Sequence, residues 1–185
     1  MIDDLLQEAE SRMQKTIKAL EGNFRTLRTG RATPALLEGV SVIYYGTPTP
    51  IRQLAVISAP EPQMLLVRPY DPGSINEITR AILQADLGLN PSNDGRVIRI
   101  PIPRLTEERR KELVRTVRKR MEEAKIALRN IRRDALNDMR EFEEEKLISE
   151  DDLHRGQEKL QKLTDRYIEQ VEALGKRKEQ EIMEI

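Results

Sequence analysis

The sequence contains no cysteine, no tryptophan and a single histidine, and aromatic residues make up only 3% of its 185 positions. Without cysteine there is no disulfide framework, no thiolate nucleophile and no cysteine-ligated zinc. His154 is the lone imidazole, so a histidine-based proton relay lacks partners. Beside Asp151 and Asp152 it reads as an exposed structural residue rather than a metal ligand, because acidic residues in a helix's first turn already complement the helix dipole. An excess of one charge is missing too: 32 basic and 32 acidic side chains cancel, which excludes a uniformly basic nucleic-acid binder but does not say where charge sits. No apolar run approaches the roughly 20 residues that span a bilayer. The opening Met1-Ile2-Asp3-Asp4-Leu5-Leu6-Gln7-Glu8 is acidic and interrupted by polar residues, unlike a signal peptide. Neither Gly-x-x-x-x-Gly-Lys-Ser/Thr nor Gly-x-Gly-x-x-Gly occurs, so no phosphate cradle is announced. The expectation is a cytoplasmic protein that is not an enzyme, with no metal, no cofactor, no small-molecule substrate and no membrane association.

Proline is absent from most of the chain, and its distribution divides the sequence. All 10 prolines lie between Pro34 and Pro103. From Arg31 to Leu105 only 13 of 75 residues are charged, whereas the other 110 hold 51 charges and no proline. Proline-free, charge-dense sequence suits long exposed helices; proline- and glycine-punctuated, β-branched sequence suits short strands and turns. The expected organisation is a helical domain of residues 1–30 and 105–185 interrupted by an inserted domain of residues 31–104.

The first helical stretch, about Ile2 to Thr29, places Ile2, Leu6, Ala9, Met13, Ile17, Leu20, Phe24 and Leu27 on one face. The second begins after Thr106, an N-cap followed by Glu107 and Glu108. Its seam is Val114, Val117, Met121, Ala124, Leu128, Ile131, Ala135, Met139 and Phe142, whose mean spacing of 3.5 suits a left-handed bundle. The third is capped by Ser149, with Glu150, Asp151 and Asp152 in its first turn and Leu153, Leu160, Leu163, Tyr167, Val171 and Leu174 as its apolar face. Three such helices joined by short polar turns predict an antiparallel three-helix bundle.

The insert reads as a small β/α/β module, making the whole chain α+β. Its strand candidates are Gly39–Tyr45, Ile51–Ser58, Met64–Arg68 and Arg96–Ile102, punctuated by Gly46-Thr47-Pro48 and Pro60-Glu61-Pro62. Ser74 is read as the N-cap of a helix from about Ile75 to Ala85, and residues 90–95 as a surface loop. Two crossings, Thr29-Gly30-Arg31 and Pro103-Arg104-Leu105, join the domains side by side, which is the layout of a hinge near 29–31 and 103–106. Gly30 follows a helix, where a glycine cap is expected.

Charge on the second helix is the informative feature. Residues 104–136 carry 12 basic and 6 acidic side chains; residues 137–158 carry 3 and 9. Lys111, Arg115, Arg118, Lys125, Arg129 and Arg132 each fall about one position after the apolar seam, forming a stripe along one flank. Arg133 widens it, and Arg25, Arg28 and Arg31 add positive charge near the crossings. One account is a solvated face with local pairing to Glu108, Glu122 and Glu123. The other is phosphate binding, favoured by 22 Arg against 10 Lys and by the absence of acidic residues between Glu123 and Asp134. No aromatic lies on that face, so shape or backbone recognition of structured RNA fits better than reading of single-stranded bases.

In order along the chain, Leu27-Arg28-Thr29-Gly30-Arg31-Ala32-Thr33-Pro34, Tyr44-Tyr45-Gly46-Thr47-Pro48, Pro69-Tyr70-Asp71, Leu87-Gly88-Leu89-Asn90-Pro91, Asp94-Gly95, Ile100-Pro101, Pro103-Arg104-Leu105-Thr106-Glu107-Glu108-Arg109-Arg110 and Arg129-Asn130-Ile131-Arg132-Arg133-Asp134 resemble the bacterial ribosome recycling factor family over essentially the full length. The resemblance implies an L-shaped, monomeric two-domain protein of transfer-RNA outline. It implies binding to the post-termination ribosome and, with elongation factor G and its GTP hydrolysis, separation of the subunits, with no bond chemistry by the factor itself. Large-subunit ribosomal RNA is the implied ligand of the bundle, with Arg129 and Arg132 matching the family's binding arginines; Arg133, Lys125, Arg118 and Arg28 join them from the charge pattern. The inserted domain is the implied partner of elongation factor G, with Arg52, Tyr44 and Asp94 candidates by location. Two other readings stay open: a helical adaptor that binds another helix, and an RNA-dependent enzyme housed in an insert that lacks His, Cys, Lys and a paired acid motif.

Overall fold

A computed structural model describes residues 1–27 and 29–184. They form two compact units, Met1–Leu27 with Lys111–Glu184, and residues 29–110.

The first unit is built from α1 (Ile2–Thr26), most of α3 (Glu107–Glu144) and α4 (Glu150–Met183). At 1.5 Å per residue, the 38 residues of α3 extend for about 57 Å. The apolar face of α1 is buried at Ala9, Met13, Ile17, Leu20 and Phe24, as the spacing predicts. On α3 the buried seam is Leu113, Val117, Ala124, Leu128, Ile131, Ala135 and Met139, with Val114, Met121 and Phe142 half-buried at its edge. The inward position at its start is therefore Leu113 rather than Val114. On α4 the buried line includes Leu160, Tyr167 and Val171, but also Gly156, Thr164 and Gly175, which hydrophobicity does not mark. Thr164 satisfies its hydroxyl on Leu160 O at 2.8 Å, inside its own helix.

Helix directions follow from which residues meet. Arg118 meets Glu179 and Arg132 meets Gln161, so α3 and α4 run antiparallel. Arg166 and Tyr167 meet Glu10, and Gly156 faces Ile2, so α1 and α4 run parallel. The α3–α4 turn ends on a capping box: Ser149 Oγ accepts from Asp152 N–H at 3.0 Å while Asp152 Oδ2 accepts from Ser149 N–H at 3.2 Å. Hydrogen bonding from Ser149, its backbone N–H foremost, holds the Asp152 carboxyl below its usual range. Thr106 caps α3 through Arg109 N–H at 3.1 Å.

The second unit holds a hairpin of β1 (Ser41–Tyr44) and β2 (Thr47–Pro50), and a four-stranded sheet in the order β3 (Ala55–Glu61), β4 (Met64–Pro69), β6 (Ile98–Pro101), β5 (Ser92–Asn93). Every pairing is antiparallel. Helix α2 (Ile75–Gln84) buries Ile75, Ile78 and Ile82 against a core that includes Val42, Leu65, Val67, Ile98 and Ile100.

Several local expectations change for identifiable reasons. Thr47 and Pro48, read as punctuation between strands, belong with Thr49 and Pro50 to a strand; Pro48 and Pro50 are tolerated because β2 is an edge strand with no second neighbour needing their missing N–H groups. The segment starting at Ile51 opens as a 3-10 turn, Ile51–Gln53, before β3 begins, and β3 then runs through Pro60 with a shift of register between Ser58 and Glu61. Ser92–Asn93, read as loop, pairs as a short edge strand with Arg99 and Ile98. Ser74 occupies the N-cap position of α2 but makes no side-chain capping bond: its hydroxyl donates to Asp71 O at 2.7 Å, and Asp71 caps the preceding 3-10 turn, Pro72–Ser74, by accepting from Gly73 N–H at 2.9 Å.

Candidate nucleic-acid interface

The basic stripe divides in two once the packing of α3 is considered. Arg118, Lys125 and Arg132 are seven residues apart, so all three return to the same flank, and that flank faces α4. There Arg118 Nε lies 2.9 Å from Glu179 Oε1, and Lys125 Nζ pairs with Glu172 Oε1. Only 18% of the Lys125 side chain is exposed. These two cations are neutralised across the helix interface, by acids that do not lie beside them in the local sequence. Local sequence shows only acids on the same helix, while the partners here lie 47 and 61 residues downstream, on α4.

The far part of the stripe differs. Arg132 Nη1 reaches a neutral acceptor, Gln161 Oε1, at 3.1 Å, so its charge stays unbalanced. Arg129 is half-exposed and touches Glu122 Oε1 only at 3.5 Å, a weak contact. Arg133, one turn beyond Arg129, is exposed and makes no ion pair or side-chain hydrogen bond among the described residues. Asp134, the acid that ends the stripe in sequence, turns to the opposite flank and meets Arg12 of α1 at 3.3 Å. Residues 129–133 thus present three guanidinium groups with one distant carboxylate between them, on a rigid helix. Planar forks held this way suit bidentate contact with phosphate oxygens. Arg28 lies outside the described residues.

The residues assigned to the crossings come together within the second unit. Ala32 N–H donates to Pro62 O at 2.7 Å and Ile102 N–H to Gln63 O at 2.8 Å, so the incoming and outgoing strands are fastened to adjacent residues of the β3–β4 turn. Arg104 Nε adds a bond to Gln63 Oε1 at 3.2 Å. Gly30, Arg31, Pro103, Arg104 and Leu105 line a concavity of about 260 Å³ together with Leu36, Leu87 and Leu89, while Thr29 is buried. Gly30 has a φ of +79°, but α1 ends at Thr26 with an extended cap at Leu27, so this glycine lies at a bend beyond the helix rather than capping it.

Asp94 serves its own loop: Oδ1 accepts from Arg96 and Val97 N–H, each at 2.9 Å, and Oδ2 from Arg99 at 3.0 Å. Those bonds hold its carboxyl down to about 2. His154 is exposed, 3.9 Å from Glu150. Among the described residues no group of three or more His, Cys, Asp or Glu is placed to hold a metal ion, and no helix is long and apolar enough to cross a membrane.

Comparison with known proteins agrees with this architecture over the whole chain. A family model described as "Ribosome recycling factor" matches residues 20–183. A ribosome-recycling factor from Carboxydothermus hydrogenoformans is 56% identical over 185 residues, covering 100% of both chains. A solution structure of the ribosome recycling factor superposes with a TM-score of 0.79 at 43% identity, covering 100% of this chain and 98% of that one. A second solved structure, at 46% identity and TM-score 0.69 with 99% of each chain covered, is of the T. thermophilus ribosome recycling factor and the E. coli elongation factor G bound to the E. coli post-termination complex. The α+β plan, the extent of the match and its identity together establish that the chain belongs to the ribosome recycling factor family, a family of translation factors that are not enzymes.

Proposed function

We propose that this protein binds the post-termination ribosome as a monomer in the cytoplasm and, together with elongation factor G and GTP hydrolysis, separates it into subunits, freeing mRNA and tRNA. The observation that carries the reading is the unbalanced positive charge of Arg129, Arg132 and Arg133 on a bundle whose other interhelical cations are matched by acids. The ligand is the phosphate backbone of large-subunit ribosomal RNA, held at fixed spacing along α3. Lys125 and Arg118 position α3 against α4 and contribute less to RNA. Support comes from the related factor solved with elongation factor G on a post-termination complex.

The second unit receives the push from elongation factor G, and residues 29–31 and 103–105 are the hinge through which it acts. Fastening both crossings to the β3–β4 turn gives that unit a stiff base, so motion concentrates in the few residues outside it. Proline at 101 and 103 limits that freedom to a defined path.

Sedimentation of post-termination ribosomes with this protein, elongation factor G and GTP, each omitted in turn, tests the reading. Subunits should appear only with all three; binding without splitting would remove the recycling mechanism and leave RNA binding. Within that assay, replacing Arg132 or Arg133 with Ala should weaken ribosome binding and reduce the slope of log affinity against log salt by about 1. Arg118→Ala should change the slope by much less, since its charge is already balanced. Equal slopes for all three would remove the division of the stripe.

A further inference from the structure

The four tyrosines and two phenylalanines of this chain are its only aromatics, and Tyr44 and Tyr45 pack against each other at the tip of a hairpin in the second unit. Strand β1 ends at Tyr44 and β2 begins at Thr47, leaving Tyr45-Gly46 as a two-residue loop with both φ angles positive, +48° and +75°. That is the type I′ hairpin turn, whose first position favours Asn, Asp or Gly and resists a bulky side chain. Tyr45 nevertheless sits there 87% exposed, in edge-on contact with the Tyr44 ring at 4.6 Å. Tyr44 in turn donates its hydroxyl to Asp71 Oδ2 at 3.1 Å, a bond that raises its pKa and keeps it a donor. Tyr70, beside Asp71 in the chain, is 68% exposed. Neither turn chemistry nor burial calls for an aromatic ring at position 45, and strain of this kind points to a role outside the fold.

We propose that Tyr45 and the Tyr44–Asp71 pair form a docking platform for an arginine or lysine side chain presented by a protein partner. The charge at the site selects this occupant. Exposed ring faces attract a cation through their quadrupole, and the charged group bonded into the cluster is a carboxylate. The same carboxylate repels phosphate, so a nucleic-acid strand stacking on the rings is disfavoured. The inference rests on the preceding reading for the setting in which the partner is met, the post-termination ribosome with elongation factor G.

The test places p-benzoylphenylalanine at position 45 and irradiates the full chain with purified post-termination ribosomes, elongation factor G and a non-hydrolysable GTP analogue. The crosslink should map to a protein segment containing Arg or Lys. Replacing that basic residue with Ala, alone and with Asp71→Asn, should show a coupling of roughly 3- to 30-fold in affinity. Tyr45→Asn should leave thermal stability unchanged or raised, while weakening the crosslinked contact to the same extent. A crosslink to RNA alone, no crosslink, no coupling, or a loss of thermal stability in Tyr45→Asn would each overturn the platform. Failure of the unmodified chain to split ribosomes would overturn the recycling reading instead, and the crosslink would still decide the platform.

Discussion

Gly175 is the position where the bundle is most sensitive to a single added methyl group. A Cβ built there would overlap the end of the Met121 side chain and stand 2.7 Å from Met121 Cγ. Cγ is set by rotation about the Cα–Cβ bond, so swinging the terminal thioether alone does not clear the space. Either Met121 changes its first rotamer within a packed seam or α3 and α4 move apart. Overpacking of this depth costs about 2–3 kcal/mol. Against it, alanine is favoured over glycine inside a helix by about 1 kcal/mol. Gly175→Ala should therefore destabilise the bundle by about 1–2 kcal/mol, lowering its Tm by roughly 5–10 °C. Urea or thermal unfolding followed by circular dichroism at 222 nm reads this directly, because the long helices dominate that signal. Adding Met121→Ala should recover part of the loss, with a coupling of about 1 kcal/mol. If Gly175→Ala proved as stable as the parent, or if the two changes simply added, the close approach of α3 and α4 would not be what fixes glycine at this position.

Two further outcomes follow from the caps and loops. Ser149→Ala should cost about 1 kcal/mol of bundle stability by removing one half of the capping box, and combining it with Asp152→Ala should cost less than the sum of the two, measured by urea unfolding. Asp94 has a folded-state pKa lowered from 3.8 to about 2, so its contribution is complete above about 3.8 and is lost as pH falls toward 2. Hydrogen exchange at Arg96 and Val97 should accelerate over that window, after correction for intrinsic rates, and Asp94→Asn should abolish the pH-dependent step; persistence of the step would assign it to another group.

How much of this was legible in advance depends on whether the deciding contact was local. The faces of α1 and α3, the Ser149 and Thr106 caps and the extent of α2 follow from residues three or four apart, and the sequence shows those directly. Strand β2 was hidden because Pro48 and Pro50 oppose strand formation everywhere except on an edge, and edge position is a property of the whole sheet. Strand β5, two residues long, exists through its pairing with β6 and carries no periodicity of its own. Gly156 and Gly175 carry no hydrophobic signal, although they are the places where neighbouring side chains need room.

The basic stripe shows the same limit at the level of function. Counting charge along α3 gives one positive flank from Lys111 to Arg133, interrupted by Glu122, but a helix in a bundle has two neighbours and one open side. The heptad spacing of Arg118, Lys125 and Arg132 is a visible signal that they share a flank, and Glu172 and Glu179, themselves seven apart, match the first two across the interface. At the level of Arg132 the facing residue is Gln161, whose amide satisfies the guanidinium without cancelling its charge, while Gln161 itself donates to Asp165 at 2.8 Å. An acid at 161 would complete the interhelical series and remove a free cation from the segment that also holds Arg129 and Arg133. Gln161→Glu should leave the stability of the α3–α4 interface nearly unchanged, because the new ion pair with Arg132 is offset by the lost donor to Asp165 and the repulsion between the two carboxylates, while weakening ribosome binding and flattening its salt dependence much as Arg132→Ala does. If Gln161→Glu left ribosome affinity and its salt dependence untouched, the neutral partner at this level would have no part in keeping Arg132 available to phosphate.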